Sequence, residues 1–281
     1  FFSGNAQHMG WIISGTLLPY ILLIYYNFTQ LPTLKNTLLF TLVFFSFIIG
    51  GYPAFSIVIC YGLVITFLYY VFLFVKNKQF AFLKKFIIHH IILLIPLILL
   101  LSISIVSHFD MVAHVTRGNG VSLAFALDNS LKFIHAVTFI FPFLIAFTKE
   151  SYWQIDPSMM NCYIGLTLII LSITSLRYIR NKNILILWII TIFFGAMSLG
   201  NDIPLRSFFY TYIPLFNTFR FPSLFRLFFI YSLILLAGYS LQKIENQGII
   251  AFFKKYLFLL LALCLLVFFI GIKPHTLEFA T

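Results

Sequence analysis

Long apolar runs follow one another along the chain, and short segments that contain Lys or Arg separate them. Hydrophobic residues make up 62% of the 281 residues and charged residues only 9%. A soluble domain carries about a quarter charged residues, so this chain has far too few to cover a surface that faces water. The pattern therefore predicts that lipid surrounds most of the chain, and the lipid bilayer is its first expected partner.

The apolar runs have the length of membrane-spanning helices. A helix that crosses about 30 Å of hydrocarbon needs roughly 20 apolar residues, with about 17 as a lower limit. Eight runs qualify within the error of their boundaries: 10–26, 36–51, 53–75, 86–106, 161–179, 184–200, 223–242 and 256–272. We expect an all-α fold, a polytopic transmembrane helix bundle of about eight spans.

The Gly50-Gly51-Tyr52-Pro53 segment predicts a turn that separates the second span from the third. Small residues such as Ser14 and Gly195 are candidates for contacts between helices, because helix packing in lipid depends on close approach. No linker or internal repeat divides the chain, so residues 1–281 are expected to form a single transmembrane domain. The chain opens at Phe1 without an initiator Met, and we interpret it as a fragment of a longer protein.

The distribution of Lys and Arg predicts an orientation, because short cytoplasmic loops carry an excess of both. Eleven of the eighteen basic residues fall on one side of the eight predicted spans: Lys35, Lys76, Lys78, Lys84, Lys85, Arg177, Arg180, Lys182, Lys243, Lys254 and Lys255. Six of the seven acidic residues fall on the other side. We therefore place the lysine-rich side in the cytoplasm and both ends of the chain outside.

The segment 133–147 has two interpretations. It is apolar and contains Pro142, but it is only fifteen residues long. A span here would move every later loop to the opposite side, which the charge distribution contradicts. Because Leu123, Leu127, Leu131 and Ile134 share one helical face, we expect 122–147 to form an amphipathic helix at the outer surface followed by a shallow re-entrant element.

Two function classes are not favoured by the residue pattern. The net charge of +11 could suggest nucleic acid, but the basic residues punctuate apolar runs and form no single patch. No nucleotide-binding or zinc-protease motif is present. His108, Asp110, His114 and Arg117 could form a proton relay or a metal site, but this spacing is more typical of a solvated loop. Asp156, which precedes Pro157, predicts a helix N-cap.

Arginines are the strongest candidates for substrate binding. Arg206, Arg220 and Arg226 fall in or just after the outer connection 201–222, which also contains Asp202. A guanidinium offers a planar fork of donors that suits a phosphate or a carboxylate. The alternative is that these side chains extend to lipid headgroups or pair with an outer acid.

The amino-terminal polar residues form a second candidate group. Asn5, Gln7 and His8 come just before the first span, where amide groups could orient a sugar or a backbone segment.

Four segments carry a resemblance to a known family: GNAQHMGWIISGTLLPYIL, GGYPAFSI, DPSMMNCYIGL and FRFPSLFRLFFIYSLILLAGYSLQ. In this order they resemble segments of bacterial YfhO-type membrane proteins. The similarity covers nearly the whole chain, and the stretch from Arg220 to Arg226 is its most specific part.

The resemblance implies a glycosyltransferase of the GT-C class in the bacterial cytoplasmic (inner) membrane. Such an enzyme moves a sugar from a polyprenyl phosphate to a glycan or lipid of the cell envelope on the outer face. In the implied reaction, Arg or a divalent cation as cofactor would stabilise the departing phosphate. In this class the catalytic carboxylate usually lies in the outer loop after the first span of the full-length protein, and we expect that region to precede Phe1. Asp110 and Asp202 are therefore only weak catalytic candidates.

The residues alone leave open whether the chain is an enzyme. A transporter of lipids or glycans would use the same arginines to guide an anionic substrate, although it would be expected to have broken helices and polar groups at mid-membrane. A noncatalytic membrane scaffold is a third alternative.

Overall fold

A computed structural model describes residues 8–112, 114, 120–139, 142, 155–245, 262 and 265 of the chain. These residues contain helices and no strand. They fall into two compact units, the first ending at Gly120 and the second beginning at Val121. The predicted all-helical fold is confirmed for this part of the chain.

The first unit contains four helices joined by very short connections. They are α1 (Met9–Gln30), α2 (Leu34–Gly50), α3 (Pro53–Lys76) and α4 (Phe80–Val112). Short connections make successive helices antiparallel, so the 31–33 and 77–79 connections lie at the same end of the unit. Helix α2 packs mainly against α1 and α4. The core of the first unit is aromatic, and the rings of Phe28, Phe40 and Phe86 are almost completely buried.

The predicted turn between α2 and α3 is confirmed, and it is attached to α1 by Ser14. The Ser14 hydroxyl donates to the carbonyl of Gly10 and accepts a 2.8 Å hydrogen bond from the amide of Tyr52. A Cβ atom on Gly51 would collide with the carbonyl of Phe47. Glycine is needed here because the turn passes so close to its neighbours.

The second unit alternates short and long helices. They are α5 (Leu123–Ala126), a 3-10 helix (Phe133–Phe139), α6 (Pro157–Met160), α7 (Leu166–Thr174) continued by a 3-10 turn (Ser175–Tyr178), α8 (Lys182–Ser198), α9 (Leu205–Tyr212), a 3-10 helix (Pro222–Phe225) and α10 (Arg226–Glu245).

Helix α10 forms the centre of the second unit and packs against both α7 and α8. The Ser172 hydroxyl of α7 lies 2.8 Å from the carbonyl oxygen of Leu233 on α10. On the other side, a Cβ atom added to Gly195 of α8 would touch the ring of Phe229. These small side chains let the three helices approach closely, as is typical of helix packing in lipid.

Four described helices are long and apolar enough to cross a membrane: Met9–Gln30, Pro53–Lys76, Phe80–Ser107 and Pro222–Ile244. Three further apolar helices, Leu34–Gly50, Leu166–Tyr178 and Lys182–Ser198, are shorter. A helix of 17 residues such as α2 is about 26 Å long, slightly less than the hydrocarbon thickness. By length and composition, four of the described helices could span a membrane, which supports a membrane protein. The predicted span 256–272 lies outside the described residues, apart from residues 262 and 265.

The fifth predicted span begins later than the apolar pattern indicates. Residues 161–165 are not helical, and Gly165 has a φ of 91°. That left-handed conformation suits glycine and cannot continue a right-handed helix. A span prediction that averages hydropathy over a long window misses this interruption, because the strongly apolar run from Leu166 to Thr174 dominates the average.

A continuous amphipathic helix from residue 122 is not observed. Helix α5 ends at Ala126, and the next helical segment begins only at Phe133. Asn129 has a φ of 54°, which breaks the helix between them. The four apolar residues of the predicted face are consequently split, with Leu131 buried and Leu123 exposed. Of residues 140–147 only Pro142 is described, so the predicted re-entrant element lies mostly outside the described residues.

Candidate functional site

The candidate arginines of the second unit come together where α8 ends and α10 begins. The chain leaves α8 at Ser198, forms α9 and returns through an irregular loop to the 3-10 helix that precedes α10. Two of the three guanidinium groups here are completely buried, and the third is half-buried. Their different burial gives the three arginines different roles.

Arg206 organises the loop that follows its own helix. Its Nη2 donates to the carbonyl oxygens of Phe216 and Phe219, each at 2.9 Å. The ring centroids of the same two residues lie 5.9 and 4.9 Å from its Cζ atom. A charged donor between two carbonyls and two aromatic faces is strongly held. Arg206 therefore fixes the conformation of the loop through buried hydrogen bonds, and its side chain is not accessible to a substrate.

Arg226 stands at the first residue of α10 and is also completely buried. Its Nη2 donates a 2.7 Å hydrogen bond to the carbonyl oxygen of Ser158 at the short helix α6. This contact joins α10 to a segment almost 70 residues earlier in the chain. In the described structure the Arg226 guanidinium supports the protein backbone.

The predicted N-cap at Asp156 is confirmed and belongs to the same arrangement. Its carboxylate accepts a 2.8 Å hydrogen bond from the amide of Ser158. The Asp156 amide in turn donates to the side-chain oxygen of Asn129 at 2.9 Å. Asn129 thus fixes the start of α6 from the segment that follows α5.

Arg220 differs from the other two because it is partly exposed and lies between two aromatic rings. Its Cζ atom is 4.0 Å from the ring centroid of Phe221 and 4.6 Å from that of Phe125. No described residue forms a hydrogen bond or an ion pair with it. Stacking holds the guanidinium on its faces and leaves the N–H groups at its edge for another partner.

The ring of Phe125 reaches Arg220 because two hydrogen bonds attach the start of this unit to the loop. The Val121 amide donates to the carbonyl of Asn217 at 2.9 Å, and the Tyr210 hydroxyl donates to the carbonyl of Val121 at 2.6 Å. Phe221, the other ring, has a φ of 65°, which is unusual for a bulky side chain. The surrounding structure holds both rings in place around Arg220.

The carboxylate candidates are not joined to this arginine. Asp202 is exposed just beyond α8, and its backbone amide donates to the carbonyl of Leu199. It makes no ion pair with Arg220. Asp110 is exposed near the end of α4 in the first unit. The structure therefore gives neither acid a geometry that distinguishes it as a catalytic base.

The amino-terminal candidates also belong to the first unit, where His8 is described and Asn5 and Gln7 lie outside the described residues. The His8 ring stacks on Trp11 with centroids 3.8 Å apart. Its backbone carbonyl accepts from the amides of Trp11 and Ile12 at the start of α1. These contacts are explained by helix initiation alone.

The described residues offer a divalent cation no cluster of protein ligands. Among them, no group of three or more His, Cys, Asp or Glu side chains is close enough to hold a metal ion. In the 108–117 segment, His114 is exposed, whereas Arg117 and the side chain of His108 lie outside the described set. No chemical step is therefore assigned to a metal ion.

Several important residues of this site carry no sequence signal. Arg220 and Phe221 are neighbours in the chain, so a contact between them was foreseeable. Phe125 and Ser158 are each more than 60 residues from the arginine that they contact. Only the tertiary structure brings these pairs together.

Comparison of the chain with models of protein families, with curated proteins and with solved structures gave no match. The resemblance to YfhO-type proteins consequently supports a proposal and no more.

Proposed function

We propose that this chain belongs to a membrane glycosyltransferase of the GT-C type. In this proposal, the protein moves a sugar from a polyprenyl phosphate to a cell-envelope glycan or lipid at the outer face of a bacterial cytoplasmic membrane. The geometry of Arg220 carries the proposal: a half-buried cation held by two rings, with its N–H edge free of described partners. Arg220 is assigned to bind the phosphate of the lipid-linked donor.

The physical setting of Arg220 suits a phosphate that belongs to a lipid. Guanidinium donors match two phosphate oxygens at once, and a partly desolvated site strengthens the attraction. Exposed apolar side chains lie nearby in the chain: Phe208 and Tyr212 belong to α9, and Leu215 belongs to the loop between α9 and Arg220. They offer an apolar surface to the hydrocarbon part of a lipid substrate.

The proposed reaction requires one nucleophile and one leaving group. The acceptor hydroxyl oxygen forms a bond to the anomeric carbon of the sugar, and its proton passes to a carboxylate acting as general base. The bond between the anomeric carbon and the phosphate oxygen breaks, and the polyprenyl phosphate departs with the electron pair. Arg220 stabilises the negative charge that gathers on this phosphate.

Arg206 and Arg226 act in this proposal as positioning residues. Arg206 holds the carbonyls of the loop that ends at Arg220, and Arg226 holds the segment before α7. Their substitution would change the shape of the site without removing a substrate contact. Asp202 and Asp110 stay weak candidates for the general base, and Asn5, Gln7 and His8 stay candidates for binding the sugar.

The proposal includes the complete topology of eight spans with both ends of the chain outside. It is supported by the four long apolar helices, the three shorter ones and the distribution of Lys and Arg. In this topology the loop that carries Arg220 faces outward, where a polyprenyl-phosphate sugar is consumed.

A comparison of three arginine variants tests the function. Arg220→Ala in the full-length protein is expected to lower glycan decoration of cells at least tenfold, and Arg220→Lys to restore only part of it because an ammonium cannot bind bidentately. Arg180→Ala, which removes an exposed arginine in the turn that precedes α8, serves as the control. Decoration that is unchanged in Arg220→Ala, at equal protein level, would contradict the assignment. Movement of the lipid without sugar transfer in vesicles would instead identify a transporter.

A further inference from the structure

A separate cleft opens at the end of the first unit where α1 ends and α4 begins. It has a volume of about 520 Å³. Its lining residues include Gln30, Tyr70, Phe74, Lys78, Phe80 and Phe82. The cleft shares no residue with the arginine site of the second unit.

One wall of the cleft is polar and already ordered. The Gln30 amide donates a 3.0 Å hydrogen bond to the hydroxyl oxygen of Tyr70, which joins α1 to α3. The hydroxyl hydrogen of Tyr70 has no acceptor among the described residues and can donate to a ligand. Lys78 supplies a cation from the turn between α3 and α4, where its φ of 55° marks a tight reversal.

The electrostatic environment of the cleft is strongly positive. Five exposed lysines lie at this end of the unit: Lys35, Lys76, Lys78, Lys84 and Lys85. No Asp or Glu occurs in the sequence before Asp110. Because residues 8–107 contain no acidic side chain, nothing in them offsets the attraction that these lysines exert on an anion entering the cleft.

The other wall of the cleft is aromatic. The rings of Phe74 and Phe82 have centroids 4.9 Å apart, and the neighbouring Phe80 is exposed over 61% of its surface. A soluble anion such as phosphate has no apolar part that could pack against these rings. A molecule with an anionic head and a hydrocarbon tail would use both walls.

We propose that this cleft binds the phosphate headgroup of an anionic phospholipid, with Lys78 and the Tyr70 hydroxyl as its polar contacts and Phe74, Phe80 and Phe82 beside the first part of the acyl chain. The site lies in the lysine-rich region that the charge distribution assigns to the cytoplasmic leaflet, where anionic lipids are attracted to basic residues. This inference is independent of the proposed glycosyltransferase activity.

The test uses the full chain in a neutral detergent, titrated with a short-chain phosphatidylglycerol while native mass spectrometry counts bound lipid. Lys78→Gln is expected to weaken binding about fivefold, the factor expected for one lysine at an anionic surface. Tyr70→Phe is expected to weaken it about threefold, because it removes the free donor and the acceptor of Gln30. Lys84→Gln removes the same charge from the same end of the unit without touching the cleft, and a change below about twofold is expected.

Four results would overturn the proposal. An equal loss in Lys78→Gln and Lys84→Gln would show that the lysines act only as a diffuse charge. No loss in Lys78→Gln and Tyr70→Phe would show that neither side chain contacts the lipid. Equal affinity for the matching phosphatidylcholine would show that the acyl chain alone drives binding. Displacement of the lipid by an equal concentration of inorganic phosphate would identify the ligand as free phosphate. Thermal unfolding of each variant verifies that it is folded.

Discussion

Arg226 donates a 2.7 Å hydrogen bond from its guanidinium to the backbone carbonyl of Ser158, and the arginine has no exposed surface. The bond joins the first residue of the central helix α10 to α6, a helix of a single turn. A helix as short as α6 is not stable by itself. Its position in the second unit therefore depends on this contact and on the N-cap at Asp156.

Arg226→Ala is expected to destabilise the protein by about 2–4 kcal/mol, because it leaves the Ser158 carbonyl without this donor and creates a cavity where a fully buried side chain stood. Thermal unfolding in detergent measures the effect as a lower unfolding midpoint. Arg180→Ala, at an exposed position, is the matched control and is expected to change the free energy of unfolding by less than about 0.5 kcal/mol. Equal midpoints for the two variants would contradict the structural role of Arg226.

Gly200→Ala is expected to cost about 2–4 kcal/mol of stability. Gly200 has a φ of 42°, and a Cβ atom there would collide with the Ser130 hydroxyl and lie 2.8 Å from Cγ of Pro222. The control is Gly238→Ala in the same unit, where a Cβ atom meets nothing within 4 Å. That change is expected to stabilise the α10 helix by about 0.5–1 kcal/mol. A neutral Gly200→Ala variant would mean that the Ser130 contact can move away at no cost.

Ser14→Ala is expected to lower the free energy of unfolding by about 1–2 kcal/mol, because the Tyr52 amide loses its acceptor at the turn between α2 and α3. Ser46→Ala provides the comparison, since the exposed Ser46 hydroxyl bonds only to the carbonyl of Leu42 within its own helix. The difference between the two unfolding midpoints reports the contact across helices. If both variants unfold at the wild-type midpoint, water or another group replaces Ser14.

Two substitutions of Asn129 separate the roles of its backbone and its side chain. Asn129→Gly keeps the left-handed conformation but removes the acceptor of the Asp156 amide, so a loss of about 1 kcal/mol is expected. Asn129→Ala loses the acceptor and also strains the backbone, and about 1 kcal/mol more is expected. The midpoints of chemical or thermal unfolding should follow the order wild type, Gly, Ala. A more stable Ala variant would exclude the backbone argument.

The proposed topology predicts opposite reactivity for cysteines placed at the two ends of the helices. In a chain whose Cys60, Cys162 and Cys264 are replaced, cysteines at Asp156 and Ser207 are expected to react with an impermeant reagent added outside intact cells. Cysteines at Lys78 and Lys182 are expected to react only after permeabilisation. Labelling of positions 156 and 182 from the same side would overturn the interpretation of residues 133–147 and the orientation of the spans that come after it.

Local signals in the sequence predicted local features well. The turn at Gly50-Gly51-Tyr52-Pro53 and the N-cap at Asp156 are both present, because each depends on the conformational preferences of adjacent residues. Apolar runs likewise indicated where most described helices lie. The interruptions at Gly165 and Asn129 were missed, since a residue in the left-handed region leaves the average hydropathy of its surroundings unchanged.

Composition and periodicity by themselves determined that this chain folds as helices for a lipid environment, because apolar length and scarcity of charge are properties of the sequence. The tertiary structure alone decided what each arginine does. Arg206, Arg220 and Arg226 look equivalent in the sequence, yet two are completely buried and donate to backbone carbonyls. The third lies between aromatic rings, and its edge meets no described hydrogen-bond partner. The physical reason is that burial and hydrogen-bond partners come from residues distant in the chain, which only packing brings within reach.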